Sequence, residues 1–238
     1  MRINVHAGHN PAGKVACGAV GLINESTEAR RVKEEVISQF RQLGHTVYDC
    51  TVDNGTGQKD VLQKIVQKCR LHEADLDVSI HFNSGANDKS GNGKTTGVEV
   101  LVYSASSKAK GYAEKVCAAI ARLGFRNRGV KVNSSLYVLK NTKAPAMLVE
   151  CCFVDDKDDV KLYNYYEMAS AIVYGITGEK VSATSETAKA DAGEETTTGN
   201  PKALYRVQVG AYGVKGNANT MVEKLKKAGF TDAAIVQA

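Results

Sequence analysis

Short apolar runs recur along the first part of the chain: "RINVHA", "HTVYDC", "LDVSIHF", "VEVLVY" and "AMLVECCF". They are rich in Val, Ile, Leu and Tyr, and their length and composition predict β-strands. Between them, apolar residues return every three or four positions, the period of a helix with one buried face. In "STEARRVKEEVISQFRQLG" this places Val32, Val36, Ile37, Phe40 and Leu43 on one stripe, closed by Gly44. "DVLQKIVQKCRLHEA", "AKGYAEKVCAAIARLG" and "YYEMASAIVYGITG" repeat the pattern, and the last two also end at Gly, a residue that terminates helices well. Strands alternating with helices predict an α/β fold, a mixed and mainly parallel sheet covered by helices on both faces.

The pattern stops near Gly178. "EKVSATSETAKADAGEETTTGNP" has almost no large apolar residue, so burial cannot repay the entropy of ordering it, and residues 179–200 read as a flexible linker. Beyond it, Tyr205, Val207 and Val209 alternate, Met221, Leu225 and Ala228 follow at helical spacing, and "AAIV" resumes a strand. The expected organisation is an α/β domain at 1–178, the linker, and a small C-terminal βαβ module at 201–238.

Composition narrows the class. With 238 residues and 43% hydrophobic composition the chain can bury one substantial core and a small satellite. No run approaches the roughly 20 apolar residues of a membrane span, and "MRINVHAG" is no export signal, so the protein is expected to be made in the cytoplasm. The net charge of +5 divides unevenly. The linker holds five acids against two bases, and the tail six bases against two acids, so both folded parts are mildly basic. That balance suits ordinary solubility and a polyanionic surface such as a cell wall equally, and no nucleic-acid-reading pattern accompanies it. The six cysteines form no CxxC pair, and several sit in apolar runs, so they read as free, packed thiols.

Candidate chemistry sits where apolar runs end. His9, His81 and Glu150 each follow or close a predicted strand, and Glu25 opens the first long helix after a glycine-rich connection. In open α/β sheets ligands collect at the carboxyl ends of strands, so these four can meet. Two imidazoles and a carboxylate form the ligand set of an open zinc site, and a further carboxylate nearby can move protons. His6 competes with His9, and Glu28, one turn on, competes with Glu25.

The order "VHAGHN…GLINE…VSIHFNS…APAMLVECCF" resembles the type 3 N-acetylmuramoyl-L-alanine amidases, zinc enzymes of peptidoglycan turnover and phage lysis. In that family a strand ends in Gly-His, a Glu opens the next helix, S-x-H-x-N ends a central strand and P-A-x-L-x-E a later one. The matching residues here are Gly8-His9, Glu25, Ser79 to Asn83 and Pro145 to Glu150. The resemblance implies one zinc ion held by His9, Glu25 and His81, Glu150 as the catalytic general base, and cleavage of the amide between N-acetylmuramic acid and L-alanine. The segment after His81, "NSGANDKSGNGKTTGVEV", reads as a loop bordering the site, and Asn83 is a candidate substrate contact. Arg126, Arg128 and Lys131 read as solvated charge, with the substrate's carboxylates as the alternative partner.

The tail signature "YRVQVGAY" resembles the first half of a SPOR domain, a peptidoglycan-binding module. At this length it is too short to bury a core alone, so it is expected to form a homodimer with another copy or to dock on the amidase. The combined expectation is a phage or prophage endolysin that acts on the wall after release. A zinc peptidase or deacetylase of wall material, or a non-catalytic wall-binding protein, is the alternative.

Overall fold

The computed structural model describes residues 1–181 together with positions 222, 223, 226 and 234. The tail module and nearly all of the linker lie outside the described residues. Six strands, β1 (Arg2–Ala7), β2 (Thr46–Asp49), β3 (Leu76–Asn83), β4 (Val98–Val102), β5 (Asn127–Val132) and β6 (Ala146–Phe153), form one sheet in the order β2-β1-β3-β6-β4-β5. Every neighbouring pair is parallel except β4 with β6. This is the mixed, mainly parallel sheet that the sequence predicts. The strand not anticipated is β5, "NRGVKV", an edge strand whose polar, half-exposed residues carry too little apolar signal.

The helices are α1 (Glu25–Gln42), α2 (Gln58–Arg70), α3 (Lys110–Ala121), α4 (Tyr137–Asn141), α5 (Lys157–Leu162) and α6 (Tyr165–Thr177). On one face α6 packs between α1 and α3, burying Ile3, Val5, Val78, Ile80, Val100 and Val149 of the sheet against Val32, Val36, Phe40, Val116, Ile120 and Ile172. Each such side chain, fully removed from water, stabilises the fold by about 1.5–3 kcal/mol. Among the described residues the opposite face carries α2 and the short α4, over a smaller cluster that includes Cys50, Val61, Ile65, Val138 and Leu148. Coverage thins toward β4 and β5: Val98, Val100 and Val102 are buried on the first face, while Glu99 and Leu101 on the second stay half-buried.

Two irregularities matter for the site. Along β3 and β6, His81 pairs with Glu150, but Asn83 pairs with Phe153, so β6 contains one extra residue at Cys151–Cys152. Along β4 and β5, Val98 pairs with Asn127 but Val100 pairs with Val130, so β5 also contains one extra residue, at Arg128–Gly129. Gly129 takes φ 78°, a left-handed conformation that suits glycine. Bulges of this kind re-aim side chains, and they are uncommon between parallel strands.

A buried polar pair joins β1 to β3. Asn4 Nδ2 donates to Asp77 Oδ1 at 2.6 Å, and the other Asp77 oxygen is buried without a partner. Burial raises the Asp77 carboxyl to about 6, partly opposed by its hydrogen bonds. A carboxyl raised on folding is neutral in both states at low pH. Above its unfolded pKa, the folded state pays to ionise it, so stability is lost as pH rises from about 4 through 6. The penalty is on the order of 2–3 kcal/mol. Asp77→Asn should therefore match the parent near pH 4 and exceed it in thermal stability at pH 7. A constant offset between the two melting curves across that range would refute this.

Candidate metal centre

His81 and Glu150 are direct partners on β3 and β6, and Glu99 faces Glu150 from β4. Residues paired in this way share a sheet face, so the three side chains form a row on the thinly covered side. Beyond His81, β1 continues into Gly8, whose N–H donates to the Ile80 carbonyl at 2.9 Å. A Cβ on Gly8 would lie 2.0 Å from His81 Cε1, so the imidazole occupies the space that any side chain there would take.

His9 follows with φ 61°, turning its ring back over the strand ends. Its carbonyl accepts from Arg30 Nη2 at 2.9 Å, and Arg30 pairs with Asp53 at 2.7 Å. The next residue, Asn10, holds Gly55 through both its amide oxygen and nitrogen, at 3.0 and 2.7 Å. These anchors hold His9 in a conformation a non-glycine residue seldom adopts.

Glu25 completes the group. Asn24 caps α1 by accepting from the Thr27 N–H at 3.1 Å, which places Glu25 in the first turn, aimed over the ends of β1 and β3. Its Oε1 lies 3.0 Å from His81 Nδ1 and 3.3 Å from His9 Nε2, and also accepts from the Phe82 N–H at 3.2 Å. Its Oε2 accepts from the Ala19 N–H at 2.7 Å. Burial pushes the Glu25 carboxyl up, but hydrogen bonds from His81 and His9 and their charges outweigh it, leaving the group well below the usual carboxylate range.

One atom from each of His9, Glu25 and His81 lies within 4.8 Å of the others, two nitrogens and an oxygen converging on one point. That donor set suits zinc, with a position left open for water or substrate. The cradle at Gly8 and the buried carboxylate between two imidazoles fit a cation of this kind. Beside them, Glu150 Oε2 is buried and has no hydrogen-bond partner. Burial, then the charges of Glu25 and Glu99, push the Glu150 carboxyl up to about 8. A cation between the histidines would draw it back toward the carboxylate range.

The competing candidates fall elsewhere. His6 Nδ1 lies 3.4 Å from Ser79 Oγ; burial, aided by the charge of His81, lowers it to about 3. It lines the same concavity as His9 and His81 but stands outside the trio. Glu28 is engaged by Arg31 at 3.0 Å and by the Tyr163 hydroxyl at 3.0 Å. Asn83 Nδ2 donates to Glu99 Oε1 at 2.9 Å, spanning β6. The loop after His81 is pinned by carboxylates. Asp155 accepts from the Gly85, Ala86 and Asn87 N–H groups, and Asp156, Asp158 and Asp159 accept from residues between Asn92 and Gly97. Sequence reasoning missed Arg30 and Glu99, because a charge on a helix face and a Glu within an apolar run carry no signal of the backbone they meet.

A family model described as N-acetylmuramoyl-L-alanine amidase matches residues 3–178, and one described as SPOR domain matches residues 196–238. An uncharacterized protein of Clostridium perfringens is 36% identical over 167 residues, covering 68% of this chain and 47% of its own length. The N-acetylmuramoyl-L-alanine amidase LytC of Bacillus subtilis is 41% identical over 100 residues, covering 41% of this chain and 19% of its own. Among solved structures, the catalytic domain of an endolysin targeting Clostridia difficile superposes with a TM-score of 0.67 at 26% identity, covering 76% of this chain and 99% of that domain. The chain spans about half the length of the first curated relatives it matches.

Metal content separates the candidates. Glu25→Gln and His81→Ala should lose bound zinc measured by mass spectrometry of the purified protein, and Gly8→Ala should weaken zinc affinity by roughly 10–100-fold through the displaced imidazole. Glu28→Gln and His6→Asn should retain about one zinc per chain. Full zinc content in Glu25→Gln would remove Glu25 from the ligand set.

Proposed function

The chain belongs to the N-acetylmuramoyl-L-alanine amidase family, and on that premise we propose that it hydrolyses the amide between N-acetylmuramic acid and L-alanine in bacterial peptidoglycan. The observation that carries the reading is the convergence of His9, Glu25 and His81 beside the unpartnered carboxyl of Glu150. Zinc, when bound there, supplies Lewis acidity toward a carbonyl oxygen and a water. His9, Glu25 and His81 hold the ion, and the N–H groups of Phe82 and Ala19 fix the Glu25 carboxylate so that it does not turn away. Glu150 takes a proton from the attacking water and delivers it to the leaving alanine nitrogen, a contribution worth roughly 10²–10⁴-fold. The pairing of Glu150 with His81 in the ladder supports this role.

The SPOR match adds a wall-binding function to the same chain, and basic residues of the tail suit that surface. Pairing of two tails into a homodimer belongs to this proposal and is read by sedimentation velocity. An endolysin role is supported by likeness to an endolysin catalytic domain, while the likeness to LytC supports a cellular role equally. Lysis of cells on expression with a holin, set against septal or sporulation phenotypes on deletion, separates them.

The decisive experiment is digestion of purified peptidoglycan with and without chelator, with fragments read by mass spectrometry. Stem peptides beginning with L-alanine beside intact glycan strands are expected, lost with chelator and restored by zinc. Cleavage within the peptide would support a peptidase instead, loss of acetyl groups a deacetylase, and binding without cleavage a non-catalytic wall protein. Glu150→Gln should keep zinc and lose roughly 10²–10⁴-fold in kcat. Full activity in that variant would remove Glu150 from the mechanism.

A further inference from the structure

The polar row does not end at Glu99. Arg128 on β5 donates from Nε to Glu99 Oε2 at 2.8 Å, so the row runs His81, Glu150, Glu99, Arg128 across four adjacent strands. The bulge at Arg128–Gly129 re-aims this side chain. Instead of pointing into solvent, the guanidinium lies over the Phe153 ring with its centre 5.0 Å from the centroid. Phe153 belongs to β6, the strand of Glu150, and the extra residue at Cys151–Cys152 sets it opposite Asn83. Arg128 stands two strands from Glu150, about 10 Å of backbone, and its head is carried back from the sheet edge over the ring of Phe153, on the strand of Glu150.

Two of its groups are committed and two are not. Nε is held by Glu99 and the planar face by Phe153, whereas neither Nη1 nor Nη2 has a hydrogen-bond partner among the described residues. The side chain is 31% exposed, and its head stays on the sheet face of Glu99 and Phe153. A guanidinium clamped at Nε still presents a parallel pair of N–H donors, the fork that matches a carboxylate. Clamping also removes much of the ordering cost of binding.

We propose that Arg128 is a specificity-determining residue that binds a carboxylate of the peptide stem one residue beyond the scissile alanine. This rests on the amidase reading. An extended chain advances about 3.5 Å per residue. With the scissile nitrogen at the Glu150 carboxyl, a carboxylate of the second stem residue lies roughly 7 Å further on, inside the two-strand span that separates Glu150 from Arg128. Amidation of that group would replace an anion by a neutral amide and leave one Nη–H facing a donor. The enzyme should therefore prefer stems with the free acid. Glu99 is the positioning residue of the pair, since it touches Arg128 and not the substrate.

The test compares a muramoyl tripeptide with a free α-carboxylate on its second residue and the same compound amidated there. The parent protein should show a KM at least about tenfold lower for the acid, as expected for one charge-assisted hydrogen-bonded contact. Arg128→Gln should lose the tenfold preference for the acid through KM, while any loss from leaving Glu99 without its counter-ion falls on both substrates alike. Arg128→Lys, which keeps charge without the fork, should fall between. Equal loss of kcat/KM on both substrates would reduce Arg128 to a counter-ion for Glu99, and no change on either would remove it from the site; both overturn the proposal. If neither compound is cut, the amidase reading fails separately. Calorimetry with the two free tripeptides then decides: preference for the acid, lost in Arg128→Gln, sustains the contact, and equal affinities refute it.

Discussion

A single carboxylate oxygen organises this molecule's chemistry. Glu25 Oε1 is approached by two imidazole nitrogens and a backbone N–H that arrive from two separate elements: His9 from the turn after β1, His81 and Phe82 from β3. For these to converge, the N-terminus of α1 must sit over the ends of β1 and β3, which is where packing of Val32, Val36 and Phe40 on the sheet puts it. The core helix and the candidate metal position are thus one construction. Shifting the helix by a turn, about 5.4 Å, would break the group while leaving much of the apolar contact intact.

Most of this frame was legible because buried strands and amphipathic helices write their periods plainly. Five of the six strands and the four long helices lie where apolar spacing places them. What failed was informative. β5 is an edge strand whose pairing depends on partners far away in sequence, and "NRGVKV" carries only two β-branched residues. The short helices α4 and α5 fall below the length at which a period can be recognised. In the site, His9, Glu25, His81 and Glu150 were legible as residue types at strand and helix ends, and they do gather. The choice of His9 over His6 needed the family pattern, and its physical reason, a left-handed turn secured by Arg30 on its carbonyl, is long-range. Glu99 was invisible because nothing in "VEVLVY" tells that its polar side meets Glu150 across a ladder.

The row across the sheet is costly by ordinary rules. Carboxylates set directly opposite on neighbouring strands repel, and burying them raises the cost. The protein tolerates Glu99 beside Glu150 because Arg128 and Asn83 both satisfy Glu99, leaving Glu150 as the uncompensated group. Two bulges lie beside this row, one in each strand that must deliver a side chain out of regular register. A regular parallel sheet would be steadier there, and it could not bring Phe153 under the Arg128 guanidinium.

The cysteines acquire a different meaning once the proposed workplace is the wall. Cys50, Cys69, Cys117, Cys151 and Cys152 are buried and Cys17 is half-buried, with no disulfide among them. Burial pushes the Cys117, Cys151 and Cys152 thiols up, and a hydrogen bond with Cys50 followed by burial does the same for Cys69. Since only thiolate reacts readily, an oxidant meets an interior that is chemically silent. Its point of attack is Cys17, in the connection that carries the chain from His9 to Glu25. The vulnerability of the molecule outside a reducing compartment is therefore concentrated in one loop, the one that joins two of the candidate metal ligands.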